Sequence, residues 1–174
     1  MTDMEVVLSE TVIAARVRAL GRAITRDHAG SALVVVGILN GAFIFMADLV
    51  RAIDLPIIVD FIRLASYGDA TSSCGTVRCT KDVEVDLAGK DVLLVEDIVD
   101  SGRTVACLME MLVKRQARSV RLCALIDKRE RREVEVVVDY PGFVVEEGFL
   151  VGYGLDHAGQ HRHYPAVYRL VGMG

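Results

Sequence analysis

The chain has no apolar run approaching the roughly 20 residues of a membrane-spanning helix, so neither a transmembrane class nor a membrane partner is expected. It also has no internal repeat, low-complexity tract or interdomain linker, which favours one domain over residues 1–174. Met1, Thr2, Asp3, Met4 and Glu5 do not form the basic-then-apolar pattern of a secretory signal. The four cysteines, Cys74, Cys79, Cys107 and Cys123, form no paired C-x-x-C knuckles. Cys107 and Cys123 sit in apolar surroundings and read as buried thiols. Cys74 and Cys79 fall in an expected loop, with no zinc or disulfide role assigned. A reducing cytoplasm is the expected compartment. The dinucleotide fingerprint G-x-G-x-x-G is missing from the central loop, and H-E-x-x-H is missing near His157 and His161, which read as surface histidines. A net charge of −4 gives no general support to a nucleic-acid surface.

What is present suits a globular protein. With 174 residues, 52% of them hydrophobic and 25% charged, the chain can build a real core under a charged surface. Ser9 is placed to cap a helix reaching about Asp27, with Val12, Ile13, Val17, Leu20 and Ile24 at helical spacing. Residues 32–38 read as a buried strand, followed by a turn at Asn40 and Gly41 and a helix to about Ile53. Residues 57–64 have strand character. Residues 65–86 lack periodicity and read as a long loop with some strand. A strand from 92, a helix to about Lys114 and a strand over 120–126 follow. Segments 134–138 and 143–145 come next, then an irregular tail. This alternation predicts an α/β fold with a mostly parallel central sheet flanked by helices. Ligands of such sheets sit beyond the carboxyl ends of the strands.

One of those ends carries unusual chemistry. Val92, Leu93, Leu94 and Val95 are apolar enough for a sheet interior, and then Glu96, Asp97 and Asp100 place three carboxylates within five positions. Such acids repel one another unless a cation or hydroxyl donors lie among them. Ser101, Gly102, Arg103 and Thr104 follow at the start of a helix, where free N–H groups, hydroxyls and a guanidinium suit an anion. A nucleotide P-loop would need glycine at the position of Asp97. An ordinary capped turn accounts for one acid but not three. A phosphorylated sugar, its hydroxyls or a metal at one end and its phosphate at the other, fits both halves.

Residues 92–104 resemble the motif with which purine phosphoribosyltransferases bind 5-phosphoribosyl 1-pyrophosphate (PRPP): a hydrophobic run, two acids, two hydrophobic residues, then Asp-Ser/Thr-Gly-x-Thr. The chain as far as Tyr164 is similar to the 6-oxopurine, hypoxanthine-guanine branch. The resemblance implies a type I phosphoribosyltransferase fold with a small hood formed by the terminal segments. It implies purine salvage, in which PRPP and hypoxanthine or guanine give IMP or GMP and pyrophosphate, with Mg²⁺ as cofactor. It also implies a homo-oligomer, dimer or tetramer, with no nucleic-acid partner.

Site roles follow from the same resemblance. Glu96 and Asp97 would hold the ribose and a metal, and Ser101, Gly102, Arg103 and Thr104 the 5-phosphate. Leu39, Asn40 and Gly41 would meet pyrophosphate through main-chain groups across a peptide that can be cis, together with Arg162. Asn40 stands where the family commonly has Lys or Arg, so one positive charge is missing. Ser66 and Tyr67 would ride on a closing loop that excludes water. Lys128 would read the 6-oxo group and is the residue chosen from the charge run 128–132. Phe149 would stack on the purine and Leu150 would offer main-chain groups to its edge, although core packing is a strong competing reading for Phe149. Asp156 would bind a second Mg²⁺. Asp100 is the candidate general base. Two rival readings are a nucleotide-sensing, RNA-binding regulator built on the same fold and a transferase preferring xanthine.

Overall fold

Alternating apolar residues on the central strands build two cores, one on each face of the main sheet. A computed structural model of the chain describes residues 3–66 and 77–172, in the element order β1 (Met4–Leu8), α1 (Glu10–Asp27), β2 (Leu33–Leu39), α2 (Phe43–Ala52), β3 (Ile57–Ser66), β4 (Val77–Lys81), β5 (Asp91–Val99), α3 (Arg103–Lys114), β6 (Ser119–Lys128), β7 (Tyr140–Val145), β8 (Leu150–Val151) and β9 (Val167–Leu170). The expected loop residue Tyr67, and Cys74, lie outside the described residues; Ser66 ends β3. Leu33 and Val35, Leu93 and Val95, and Cys123 and Leu125 pack on one face with α1 and α2. Val34 and Val36, Val92 and Leu94, and Leu122 and Ala124 pack on the other face with α3. This is the period-two rule applied to strands covered on both sides.

The main sheet runs β4-β3-β2-β5-β6-β7, with every neighbouring pair parallel except β3 and β4. The strand order reverses between β2 and β5, so the connections leaving these two strands part to opposite sides and open a crevice at their carboxyl ends. β1, β9 and β8 form a second, antiparallel sheet, which is the hood expected from the terminal segments. The two strands of that hood inside the chain's ends, β1 and β9, were not legible as strands in the sequence.

Local signals explain α1 well. Ser9 accepts the Val12 N–H at 3.4 Å, and Ile13, Val17, Leu20 and Ile24 form the buried stripe. Gly21 lies so close to the Ala52 carbonyl of α2 that a Cβ would collide with it, which lets the two helices approach each other. The segment 134–138 corrects an expectation: it is not a strand. Its alternation is real, since Val136 and Val138 pack on the α3-side core. The ladder with β6 starts only at Tyr140, however, and Asp139 takes the Leu122 N–H through its carboxylate at 2.8 Å. Among the described residues, no helix is long and apolar enough to cross a membrane.

Candidate active site

Three chain segments meet at the reversal point of the sheet. The first is the turn after β2, where the Leu39–Asn40 peptide is cis and Phe43 N–H donates to the Asn40 carbonyl at 3.2 Å. The second is the end of β5. A Cβ on Gly41 would fall on the Asp97 carboxylate, so only glycine lets these two segments touch. The third is the turn after β8, where Gly154, at φ 104°, packs its Cα against the Gly41 carbonyl. Arg162 then ties this third segment together, donating to the Gly154 carbonyl at 2.6 Å and to Asp156 at 2.6 Å. Asp156 accepts the Gly159 N–H through its other oxygen at 2.8 Å.

The carboxylates of β5 are held in unlike ways. Glu96 and Asp97 are buried, and the Asp97 N–H donates to Glu96 at 3.0 Å. Burial, followed by the Asp97 charge beside it, pushes the Glu96 carboxyl well above the usual range. The Ile98 N–H donates to Asp97 at 2.9 Å. Asp100 differs from both: its Oδ1 is buried with no hydrogen-bond partner among the described residues.

The turn that opens α3 leaves its first N–H groups uncapped. Gly102, left-handed at φ 82°, caps α3 without any side-chain cap hydrogen bond, so the N–H groups of the first turn stay available to a ligand. Ser101 Oγ reaches Arg103 N only at 3.4 Å, too long to make a strong cap. The Arg103 guanidinium is paired with Glu133. In this arrangement Arg103 offers the loop its N–H, while its charge is shared with the neighbouring acid.

Asp97, Asp100, Lys128, Phe149, Leu150 and Asp156 line one cavity of about 440 Å³. That is large enough for a purine and a sugar edge. Lys128 is buried, with Nζ 3.2 Å from Glu130, whereas Phe149 is 40% exposed and meets His157 edge-on at 5.1 Å. Core packing of Phe149 is therefore ruled out, and its ring is free to stack. Leu150 is buried at the start of β8. A larger cavity of about 720 Å³ lies between α1 and α2, but none of the acids at the end of β5 borders it. Asp97 and Asp100 border the smaller one.

The charge run 128–132 is only partly solvated. Arg129, Glu130 and Arg131 are exposed, but the Arg132 side chain is only 11% exposed and pairs with Asp127, itself 4% exposed, at 2.5 Å. Nothing in the local pattern marks Arg132, because two of its acceptors, the Val99 and Asp100 carbonyls, are brought in at the end of β5. Tyr153 is likewise tied to α2 by donating to Asp48 at 2.5 Å, a link between residues 105 positions apart. Cys123 is buried as expected, and burial pushes its thiol far upward. Cys79 lies on β4 rather than in a loop.

Comparison with known proteins agrees with this geometry. Residues 6–158 match the phosphoribosyl transferase domain. The chain is 46% identical over 170 residues to a hypoxanthine phosphoribosyltransferase of Salmonella typhimurium, covering 97% of this chain and 96% of the relative. It is 43% identical over 171 residues to the enzyme of that name from Haemophilus influenzae, with 97% and 96% covered. Among solved structures, a Bacillus anthracis hypoxanthine-guanine phosphoribosyltransferase superposes with a TM-score of 0.92 at 37% identity, covering 98% of this chain and 99% of that one. A Staphylococcus aureus hypoxanthine phosphoribosyltransferase gives 0.91 at 38% identity, with 95% and 90% covered. The sugar-phosphate motif, the parallel sheet with its hood and these full-length likenesses converge: the chain belongs to the phosphoribosyl transferase domain family.

Proposed function

We propose that this protein is a purine-salvage enzyme that moves the 5-phosphoribosyl group of PRPP to hypoxanthine or guanine, giving IMP or GMP and pyrophosphate. One observation carries this reading. A buried Asp100 oxygen without a partner shares a cavity with a buried lysine, Lys128, and a half-exposed aromatic ring, Phe149. That set provides a proton acceptor, a donor for a ring carbonyl and a stacking surface, which are the needs of a 6-oxopurine.

In the reaction, the bond from the anomeric carbon to pyrophosphate breaks and a bond to purine N9 forms. Asp100 accepts the proton released from the N7 side. Lys128 donates to the 6-oxo group, Phe149 stacks on the ring, and Leu150 presents its main chain to the ring edge. The 5-phosphate rests on the N–H groups of Ser101, Gly102, Arg103 and Thr104 at the open end of α3. Pyrophosphate lies against Leu39, Asn40 and Gly41, with Arg162 one residue contact away through Gly154. Ser66 and Tyr67 begin the segment that would cover the site.

Mg²⁺ suits the donor set. Glu96 and Asp97 are adjacent oxygen ligands whose mutual repulsion a dication would relieve, and Mg²⁺ commonly uses one or two carboxylates together with substrate oxygens and water. No preassembled group of three ligands exists among the described residues, consistent with an ion that arrives with PRPP. Bound there, it would neutralise charge developing on the leaving group. Asp156 is the ligand proposed for a second ion, and its carboxylate would serve that ion beside the Arg162 guanidinium it already accepts from at 2.6 Å. The family likeness is the ground for placing the enzyme in the cytoplasm as a homo-oligomer, dimer or tetramer.

The test is an absorbance assay with PRPP, Mg²⁺ and each of hypoxanthine, guanine, xanthine and adenine in turn. Turnover of hypoxanthine or guanine is expected. Turnover of xanthine alone, or nucleotide and RNA binding without any turnover, would replace this reading.

A further inference from the structure

We infer that Arg132 is a positioning residue for the transfer reaction, holding the proton acceptor Asp100 and the base-reading Lys128 in fixed relation to each other. The inference rests on the phosphoribosyl-transfer reading above.

The geometry is specific. Arg132 Nε donates to the Asp100 carbonyl at 2.9 Å, and its Nη2 donates to the Val99 carbonyl at 3.2 Å and the Lys128 carbonyl at 3.1 Å. The same Nη2 meets Asp127 Oδ1 at 2.5 Å, and Arg129 holds the other Asp127 oxygen at 3.0 and 3.1 Å. One buried guanidinium thus joins the carboxyl ends of β5 and β6, the two strands that deliver the working side chains. A planar fork with several fixed donors can do this, whereas a single ammonium point charge cannot reproduce its directions.

The next two residues extend the brace. Glu133 N–H and Val134 N–H both donate to the Ser101 carbonyl, at 2.9 and 3.0 Å, and the Val134 carbonyl lies where a Cβ of Gly102 would be. Residues 132–134 therefore back the whole turn 99–102 from behind. This explains why 134–138 leaves the sheet despite its strand-like alternation.

Positioning matters here because Asp100 cannot orient itself. Its Oδ1 has no hydrogen-bond partner among the described residues, so the place of that oxygen is set through the backbone that Arg132 grips. Lys128 is in a similar position, since its Nζ pairs with the exposed Glu130 while its carbonyl is held by Arg132. Displacement of reacting groups by about 1 Å can cost on the order of 10²-fold in rate.

Arg132→Gln takes the partner from one oxygen of the buried Asp127, leaving only the exposed Arg129 on the other, and can fail to fold for that reason alone. The test therefore uses the double variant Asp127→Asn/Arg132→Gln beside Arg132→Lys and the wild type. Steady-state kinetics are run with PRPP and hypoxanthine, alongside thermal unfolding and amide exchange of residues 99–102 and 128–134. The double variant is expected to keep a near-native melting temperature, to lose protection over 99–102, and to show kcat lowered about 10–100-fold with a smaller change in the KM for PRPP. Arg132→Lys is expected to recover part of that loss. A folded double variant with kcat within about twofold of wild type, or with unchanged exchange over 99–102, would overturn the inference. A wild type that turns over no purine, with exchange over 99–102 still lost in the variant, would overturn the proposed function and leave the brace standing.

Discussion

The two ends of β5 carry acids that look alike in the sequence and are treated in opposite ways by the fold. At the amino end, Asp91 accepts Arg118 at 2.6 and 2.9 Å and Ser119 at 2.7 Å, and the Arg118 guanidinium holds its carboxyl far below the usual range. At the carboxyl end, Glu96 is pushed upward by burial and by Asp97, and Asp100 has an oxygen with no partner. Only nine residues separate Asp91 from Asp100. The saturated end has no bonding capacity left for a ligand and serves stability. The unsaturated end is costly in the free protein, and that cost is what a sugar, a cation or a proton can relieve.

The sharpest way to break this contrast is Asp100→Asn. It is expected to lower kcat by about 10²–10⁴-fold, the usual range for a lost general base, with little change in the KM for PRPP and no loss of melting temperature. Steady-state kinetics with hypoxanthine check it, and full activity at normal substrate affinity would remove Asp100 from its role.

Asp91→Ala should do the reverse. Losing charge-assisted hydrogen bonds costs about 1–3 kcal/mol in chemical denaturation, while kcat measured on folded protein stays unchanged. Because the folded-state carboxyl of Asp91 titrates below its unfolded value, its contribution is complete above roughly pH 4 and is lost as the pH falls further. The gap in stability between wild type and Asp91→Ala should therefore close on acidification. A gap that widens below pH 4 would contradict the assignment.

Glu96→Gln probes the opposite end. Replacing a buried carboxyl that resists ionisation should raise stability at neutral pH, on the order of 1 kcal/mol, while weakening PRPP binding. Thermal unfolding and the KM for PRPP are read together, and a loss in both would show that Glu96 is a structural acid like Asp91. The smallest effect is expected from Asn40→Lys, which restores a charge beside the pyrophosphate turn. It should lower the KM for PRPP by about two- to fivefold at low salt, with the gain shrinking as salt is raised.

The carboxyl-end side of this contrast was legible in the sequence; the Asp91 side was not. The acid cluster, the small-residue loop and the buried strand before them are contiguous, so their chemistry is written in one stretch, and α1 declared itself through its cap and its apolar stripe. Residues whose roles depend on distant partners were not legible. Arg132 reads as one charge among five until β5 is laid beside it. For Phe149, core packing competes with an open ring until the structure leaves it 40% exposed. Residues 134–138 have the alternation of a strand but no free ladder to join. The pairing of β1 with β9 joins segments more than 150 positions apart, and no local pattern can announce it.

The sequence by itself determined which groups are available: three carboxylates, a small-residue turn opening a helix, a lysine at a strand end, and a parallel α/β framework to carry them. Local spacing suffices for this, because strand and helix periodicity and turn chemistry act over a few residues. Only the tertiary structure decided which acids are saturated and which are left wanting. That depends on whether a guanidinium from a distant segment reaches them, as Arg118 reaches Asp91 and Arg132 reaches only the backbone of Asp100. Burial then turns this difference in partners into a difference in free energy, because an unpaired polar group costs far more in the interior than it does in water.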